Sequence, residues 1–196
     1  MKNNLVKLLV AGSLLATGLS ANDIFNEGDR IFVGGTVGGG SGSWSAETET
    51  TSYTPAEDGL STTDMKIYVG KGSLYGFMQT GTITFDGNYN DETYTAYGVG
   101  YIGKMYDYRQ TFAAGTIEPQ YDVELAFDSM TFDDADATGF LLSADIGVAV
   151  SLIAMPALQF TADVGYDLHA VKTDAESEIT YNFGSLNFNV GAKFSF

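Results

Sequence analysis

Asp167 and His169 stand two residues apart in the stretch "YDLHA", and His169 is the only histidine in the chain. A carboxylate that orients an imidazole is the core of general acid–base catalysis. In an extended segment, residues i and i+2 share a face, so the two side chains would point the same way. The chain has no cysteine, which removes thiolate chemistry and thiolate metal ligation. A single imidazole without a nucleophile beside it makes no catalytic constellation, so His169 reads as a histidine bonded to a neighbouring carboxylate. Gly98-Val-Gly100-Tyr-Ile-Gly103 spells the glycine pattern of dinucleotide sites. That pattern needs a strand before it and a helix opening on it. Here the alternation runs on through the glycines, so no nucleotide site is expected. Asp133, Asp134 and Asp136 could together capture calcium. They lack EF-hand spacing, so any metal site there would be improvised.

The elements that would position these residues are strands. Alternating apolar positions recur in segments of strand length. "MKIYVGK" sets Met65, Ile67 and Val69 against Lys66, Tyr68 and Gly70. "FMQTGTITF" sets Phe77, Gly81, Ile83 and Phe85 against Met78, Thr80, Thr82 and Thr84. "TAYGVGYIG", "QYDVELAF", "FLLSADIGVAVSL" and "LQFTADVGYDLHA" continue the period. "RIFVGGTVGGG" at the front and "LNFNVGAKFSF" at the end bring the expected number of strands to eight. Connections alternate between long acidic ones and short ones such as "GSLYG", "KMYDYR" and "AMPA". The expected long loops hold 15 of the 25 acidic residues, Asp64, Glu92 and Asp128 among them. Pro119 removes a ladder donor, so strand five is expected to bend or begin late.

The first residues, "MKNNLVKLLVAGSLLATGLSAND", combine Lys2 and Lys7 with a short apolar run and small residues at Gly18, Ser20 and Ala21. This is the layout of a cleaved secretory signal over 1–21. Its removal leaves seven basic residues against 25 acidic ones, a net charge of −18 for residues 22–196. A polyanion of this size excludes nucleic acid as a partner. Some 175 residues make one domain, and export without cysteine means it holds together without disulfides. No later stretch approaches the length of an apolar helix that spans a bilayer.

An alternating sheet can hide its apolar face inside a soluble sandwich, or show it to lipid. The second face here is mostly Gly, Ser, Thr, Asn and Ala, which suits the lumen of a narrow barrel better than a solvated surface. An open sheet edge cannot survive in hydrocarbon, so the last strand must pair with the first. The expected fold is an all-β, eight-stranded antiparallel up-and-down transmembrane barrel. Its apolar side chains face lipid, and its lumen holds Lys66, Asp122, Glu124, Asp145, Asp163, Asp167, His169 and Lys193. Buried charges must pair or stay wet, so the acids should gather around Lys66, Lys193 or water, plugging the barrel. The competing reading is a narrow pore for cations, lined by the same acids.

The signal, the eight alternating strands, the acidic loops and a last strand ending on Phe196 resemble the small outer-membrane β-barrels of Gram-negative bacteria, of OmpA, OmpX and OmpW type. Val190, Ala192, Phe194 and Phe196 match that class's C-terminal pattern. The resemblance implies recognition of these four by the barrel-assembly machinery. It also implies loops facing outward, both termini in the periplasm, and a monomer among outer-membrane lipids and lipopolysaccharide. Divalent ions could bridge the acidic loops to lipopolysaccharide. No peptidoglycan-binding domain is expected after the barrel. Omptin proteases of the outer membrane use an Asp-x-His pair with two further acids, for which Asp133 and Asp134 would stand here. Adjacent acids on a strand point to opposite faces, however, and omptins resemble longer, ten-stranded chains. Lipid A deacylases use His-x-Ser, whereas Val171 stands two residues after His169. The expectation is therefore a non-enzymatic barrel without a cofactor, in a structural or surface-interaction role. The alternative is a porin-like channel for cations or, as OmpW-type barrels suggest, small apolar molecules.

Overall fold

The computed structural model describes residues 30–48, 51–53, 59–86, 90–132, 135–174 and 178–196. The expected signal over 1–21, together with Asp133 and Asp134, lies outside the described residues. Eight long strands follow one another: β1 (Ile31–Glu47), β2 (Gly59–Lys71), β3 (Leu74–Phe85), β4 (Glu92–Lys104), β5 (Gly115–Phe132), β6 (Ala135–Leu152), β7 (Met155–Thr173) and β8 (Thr180–Ser195). Each pairs antiparallel with the next, and β8 returns to β1 from Phe32↔Ser195 to Glu47↔Thr180. The sheet thus closes on itself through the eight long strands. Two short strands are accessory: Ser52–Tyr53 pairs with the end of β1, and Gln110–Phe112 with the start of β5.

Alternation sorts the side chains into an outer belt and a lumen. Val37, Met65, Ile67, Val69, Val99, Ile146, Phe160, Val164, Phe188 and Val190 all stand exposed on the outside. A contiguous apolar belt of this size is not a water-facing surface. Tyr106, Tyr108, Phe112, Phe194 and Phe196 add exposed aromatics at the end of the barrel where the short turns lie, as at a lipid–water boundary.

One face assignment is reversed. In β3, Phe77, Ile83 and Phe85 are buried in the lumen, while Met78 stands outside with Thr80, Thr82 and Thr84 on its face. The lumen is therefore not reserved for small and acidic groups. It contains two apolar clusters, one built around Trp44, Phe85, Tyr94 and Phe183 towards the loops, the other around Phe32, Tyr68, Tyr75 and Phe77 towards the turns. Glycines on neighbouring strands make the room, with Phe77 opposite Gly98 and Tyr75 opposite Gly100. This is where the GxGxxG glycines find their use. A Cβ on Gly100 would lie 2.2 Å from the Tyr75 ring in the lumen, while Gly103 makes room on the outer face, where a Cβ would lie 2.1 Å from the Tyr121 ring. Gly100→Val is expected to push Tyr75 from its place and destabilise the barrel by about 1–3 kcal/mol, the usual cost of overpacking. Urea-induced unfolding of the refolded protein reads this out, and an unchanged midpoint would refute it.

Several strands are longer than the alternation suggests. β5 starts at Gly115, upstream of Pro119, and runs to Phe132. Pro119 is tolerated because it falls between two ladders on that edge. The pairing with β4 stops at Lys104↔Gln120, and the accessory strand pairs only as far as Ile117. The expected long connection between strands five and six shrinks to residues 133–134, because Asp128–Phe132 pair with Ala135–Gly139. Asp64, Glu92 and Asp128 are accordingly strand residues, not loop residues, and each falls on a lumen-facing position of its strand. The connection after β4 is longer than a simple turn, carrying a 3₁₀ turn at Tyr106–Tyr108 before the accessory strand. Only Gly72, at φ 64°, occupies the left-handed region among the described glycines, in the tight turn between β2 and β3.

Candidate functional site

The lumen gathers the charged residues between and around the two apolar clusters. Lys66 on β2 donates to Glu124 on β5 in an ion pair that is almost fully buried. The Tyr75 hydroxyl lies within hydrogen-bond distance of both Asp122 and Glu124, with one proton to share between them. Tyr75 therefore belongs to the polar network by its tip and to the aromatic cluster by its ring. Asn189 donates to Asp163 at 2.9 Å, and Asn187 donates to Asp167. The Ser143 hydroxyl donates to Asp145 at 3.0 Å. Asp122 and Asp145 sit directly opposite each other across β5 and β6. Charge in this narrow lumen is thus held by amides and hydroxyls as well as by lysines.

His169 does not take Asp167 as its partner. Its Nδ1 lies 2.7 Å from Asp128 Oδ2, across two strand pairings. The Tyr94 ring meets the imidazole edge-on at 4.8 Å between centroids. His169 is 1% exposed, and its Nε2 has no hydrogen-bond partner among the described residues. No hydroxyl nucleophile is bonded to it among the described residues, and the loop-end aromatic cluster stands between it and bulk water. Asp136 stays outside: it is exposed and accepts from Thr131 at 3.3 Å. No group of three potential metal ligands occurs among the described residues.

Lys193 sits elsewhere from Lys66, near the turn end, with its ammonium 5.2 Å from the centre of the Phe32 ring. It contributes to two spaces. One is a small lumen chamber of about 20 Å³, shared with Lys66, Asp122, Asp145 and Asp163. Thr36, Gln120, Asp145 and Thr161 line this chamber, and each has a buried oxygen without a hydrogen-bond partner among the described residues. A polar space of that size accepts a single water. The other is an open cup of about 370 Å³ at the turn end.

The sequence pattern overlooked Asp128 and Tyr75 as lumen polar groups, and Glu118 as the acid of the turn end. The signal for Asp128 and Glu118 was present. Glu118, Gln120, Asp122, Glu124 and Asp128 share one parity along β5, and that parity faces inward. Tyr75 had no such signal, because a tyrosine at a strand start reads as a girdle residue.

No protein-family model and no curated protein sequence matches the chain. Among solved structures the chain is similar to the outer membrane protein OprG from Pseudomonas aeruginosa, at 10% identity and a TM-score of 0.51, covering 87% of this chain and 97% of that one. The fold is that of the small outer-membrane barrels. Neisserial surface protein A (14% identity, TM-score 0.45, covering 84% of this chain and 97% of that one) is also similar. So is the outer membrane protein AlkL in lipid bilayers (13% identity, TM-score 0.46, covering 88% and 92%). In all three cases the coverage takes in nearly the whole barrel.

Proposed function

We propose that this barrel resides in the bacterial outer membrane as a sealed support for its loops, in a structural or surface-interaction role without catalysis. The observation that carries the reading is the filling of the lumen from both ends. Trp44, Phe85 and Phe183 are buried at one end, and Phe32, Tyr68 and Tyr75 at the other. An eight-stranded lumen has room for side chains and little else. In this reading the acidic loops face outward towards lipopolysaccharide, and both termini lie in the periplasm. Val190, Ala192, Phe194 and Phe196 serve the assembly machinery, and the barrel works as a monomer. The buried His169–Asp128 pair is then structural, since no substrate could approach Nε2 without displacing the aromatic cluster.

Planar-bilayer recording tests the reading. The refolded barrel is expected to give no steady single-channel current. The competing reading, a narrow cation-preferring pore, draws on Asp122, Asp145, Asp163 and Asp167 sharing the inner face. Steady currents whose cation preference is lost in Asp145→Asn and Asp163→Asn would establish the pore and sink the sealed barrel.

A further inference from the structure

We propose that the small lumen chamber binds one monovalent metal cation, held by oxygens from β1, β5, β6 and β7. Thr36, Gln120, Asp145 and Thr161 line the chamber and are 7%, 6%, 8% and 7% exposed. Thr36 Oγ1, Gln120 Oε1, Asp145 Oδ1 and Thr161 Oγ1 have no hydrogen-bond partner among the described residues. Ser143 serves only the other carboxylate oxygen of Asp145. A buried oxygen without a partner is costly, and four of them around one small space call for an occupant. The backbone keeps that space open. Thr36, Gly191 and Thr161 stand side by side across β1, β8 and β7. A Cβ on Gly191 would lie 2.6 Å from Thr36 Cγ2 and 3.1 Å from Thr161 Oγ1, so any side chain there would fill the gap between the two threonines.

A water molecule would satisfy the four oxygens equally well, so charge decides between the two. Asp122, Asp145 and Asp163 line the chamber together with Lys66 and Lys193. Lys66 is already paired with Glu124. Four carboxylates thus stand against two ammonium groups, whatever else Lys193 meets. No basic side chain outside the described residues corrects this balance, because all seven basic residues beyond position 21 are described. Tyr75, Asn189 and Ser143 offer these acids neutral donors, which hold the charge without cancelling it. In a space of low dielectric the surplus repels more strongly than in water, and a cation relieves it. The donor set fixes that cation's charge. Asp145 supplies the one anionic oxygen among the four free ones, and no group of three potential metal ligands from His, Cys, Asp or Glu occurs among the described residues. One anionic and three neutral oxygens suit a single positive charge, not a calcium ion with its several carboxylates. A space of about 20 Å³ admits one such ion and nothing larger. The ion is a resident of the lumen, so the site goes beyond the sealed-barrel reading without altering it.

Urea unfolding of the refolded barrel in sodium chloride, potassium chloride and choline chloride of equal concentration tests the proposal. Mildly alkaline pH is chosen because protons compete least for the carboxylates there. Choline is too large for the chamber. At least one of the two metal ions should raise the unfolding midpoint above that in choline, and the gain should grow with concentration as mass action on the folded state requires. Asp145→Asn should abolish the gain by removing the site's charged ligand. Thr161→Val keeps the shape and removes one neutral oxygen, so it should weaken the apparent affinity by about twofold to tenfold. Asp167→Asn, a lumen acid that does not line the chamber, should keep the gain. Heat-modifiable migration on electrophoresis checks that each variant is closed. If Asp145→Asn does not close, Thr161→Val decides alone, and an undiminished affinity in it overturns the proposal. Equal midpoints in all three salts up to about 0.5 M, where mass action reveals even a weak site, would leave the chamber to a water molecule and overturn it as well. So would a loss in Asp167→Asn equal to that in Asp145→Asn, which would show general salt screening instead of a site.

Discussion

Lys66→Met is expected to destabilise the folded barrel by about 3–5 kcal/mol, the cost of leaving one side of a buried ion pair without its partner. Lys66 is the ammonium set among Glu124, Asp122 and Asp145. Glu124 is 1% exposed, so water cannot take over when the lysine goes. Methionine keeps much of the length and volume of the stem, which confines the change to the charge. Glu124→Gln should cost less, because Lys66 still shares its chamber with Asp122 and Asp145. The reverse does not hold: the acids would lose the ammonium that sits among them. Combining Lys66→Met with Glu124→Leu should recover part of the loss, since removing both charges avoids stranding either. Urea unfolding of the two single variants and the double variant gives the coupling energy. Equal costs for Lys66→Met and Glu124→Gln, or strict additivity in the double variant, would show that the pair is not the organising charge of the lumen.

In that network, parity and partner choice are different kinds of information. The period of two placed Lys66, Asp122, Glu124, Asp145, Asp163, Asp167, His169 and Lys193 on inward positions, because parity along a strand is local information. Partner choice is not local. It depends on the stagger between strands around a closed ring, so His169 meets Asp128 across β5, β6 and β7 and not Asp167 beside it. The inverted face of β3 has a related cause. Its two faces carry Phe77, Ile83 and Phe85 on one side and a single Met with threonines on the other, and hydropathy alone sends the first set to lipid. Near the turns the room for inward rings comes from glycines on the adjoining strand, with Phe77 opposite Gly98 and Tyr75 opposite Gly100, which no reading of β3 by itself contains. The strand ends were misplaced for a third reason. Near the loops the lumen carries charge and the outer face carries threonine, so polar residues such as Asp64 and Asp128 look like loop while the ladder continues through them.

The apolar belt gives the second large effect. Val99 is 64% exposed on the outer face of β4, between Gly76 and Leu125 on the neighbouring strands. In a soluble barrel, arginine at so open a position would change stability by no more than about 0.5 kcal/mol. With the belt in hydrocarbon, Val99→Arg should cost about 2–4 kcal/mol near the bilayer midplane. The guanidinium must be drawn from water, or drag water and headgroups in with it. The same substitution at Thr93, an exposed outer position near the loop end of β4, should cost only about 0–1 kcal/mol, because the interface is close enough for the side chain to reach. Both positions are exposed strand residues on the outer face, Thr93 opposite Thr82 and Val99 between Gly76 and Leu125, so depth in lipid is the difference large enough to separate the two costs. Equilibrium unfolding of both variants from lipid vesicles measures the difference. A large cost at Val99 with a small one at Thr93 is what a membrane-spanning belt requires. Small costs at both would mean that this face meets water, and the barrel would then have to be a secreted, soluble one with its apolar side chains needlessly exposed.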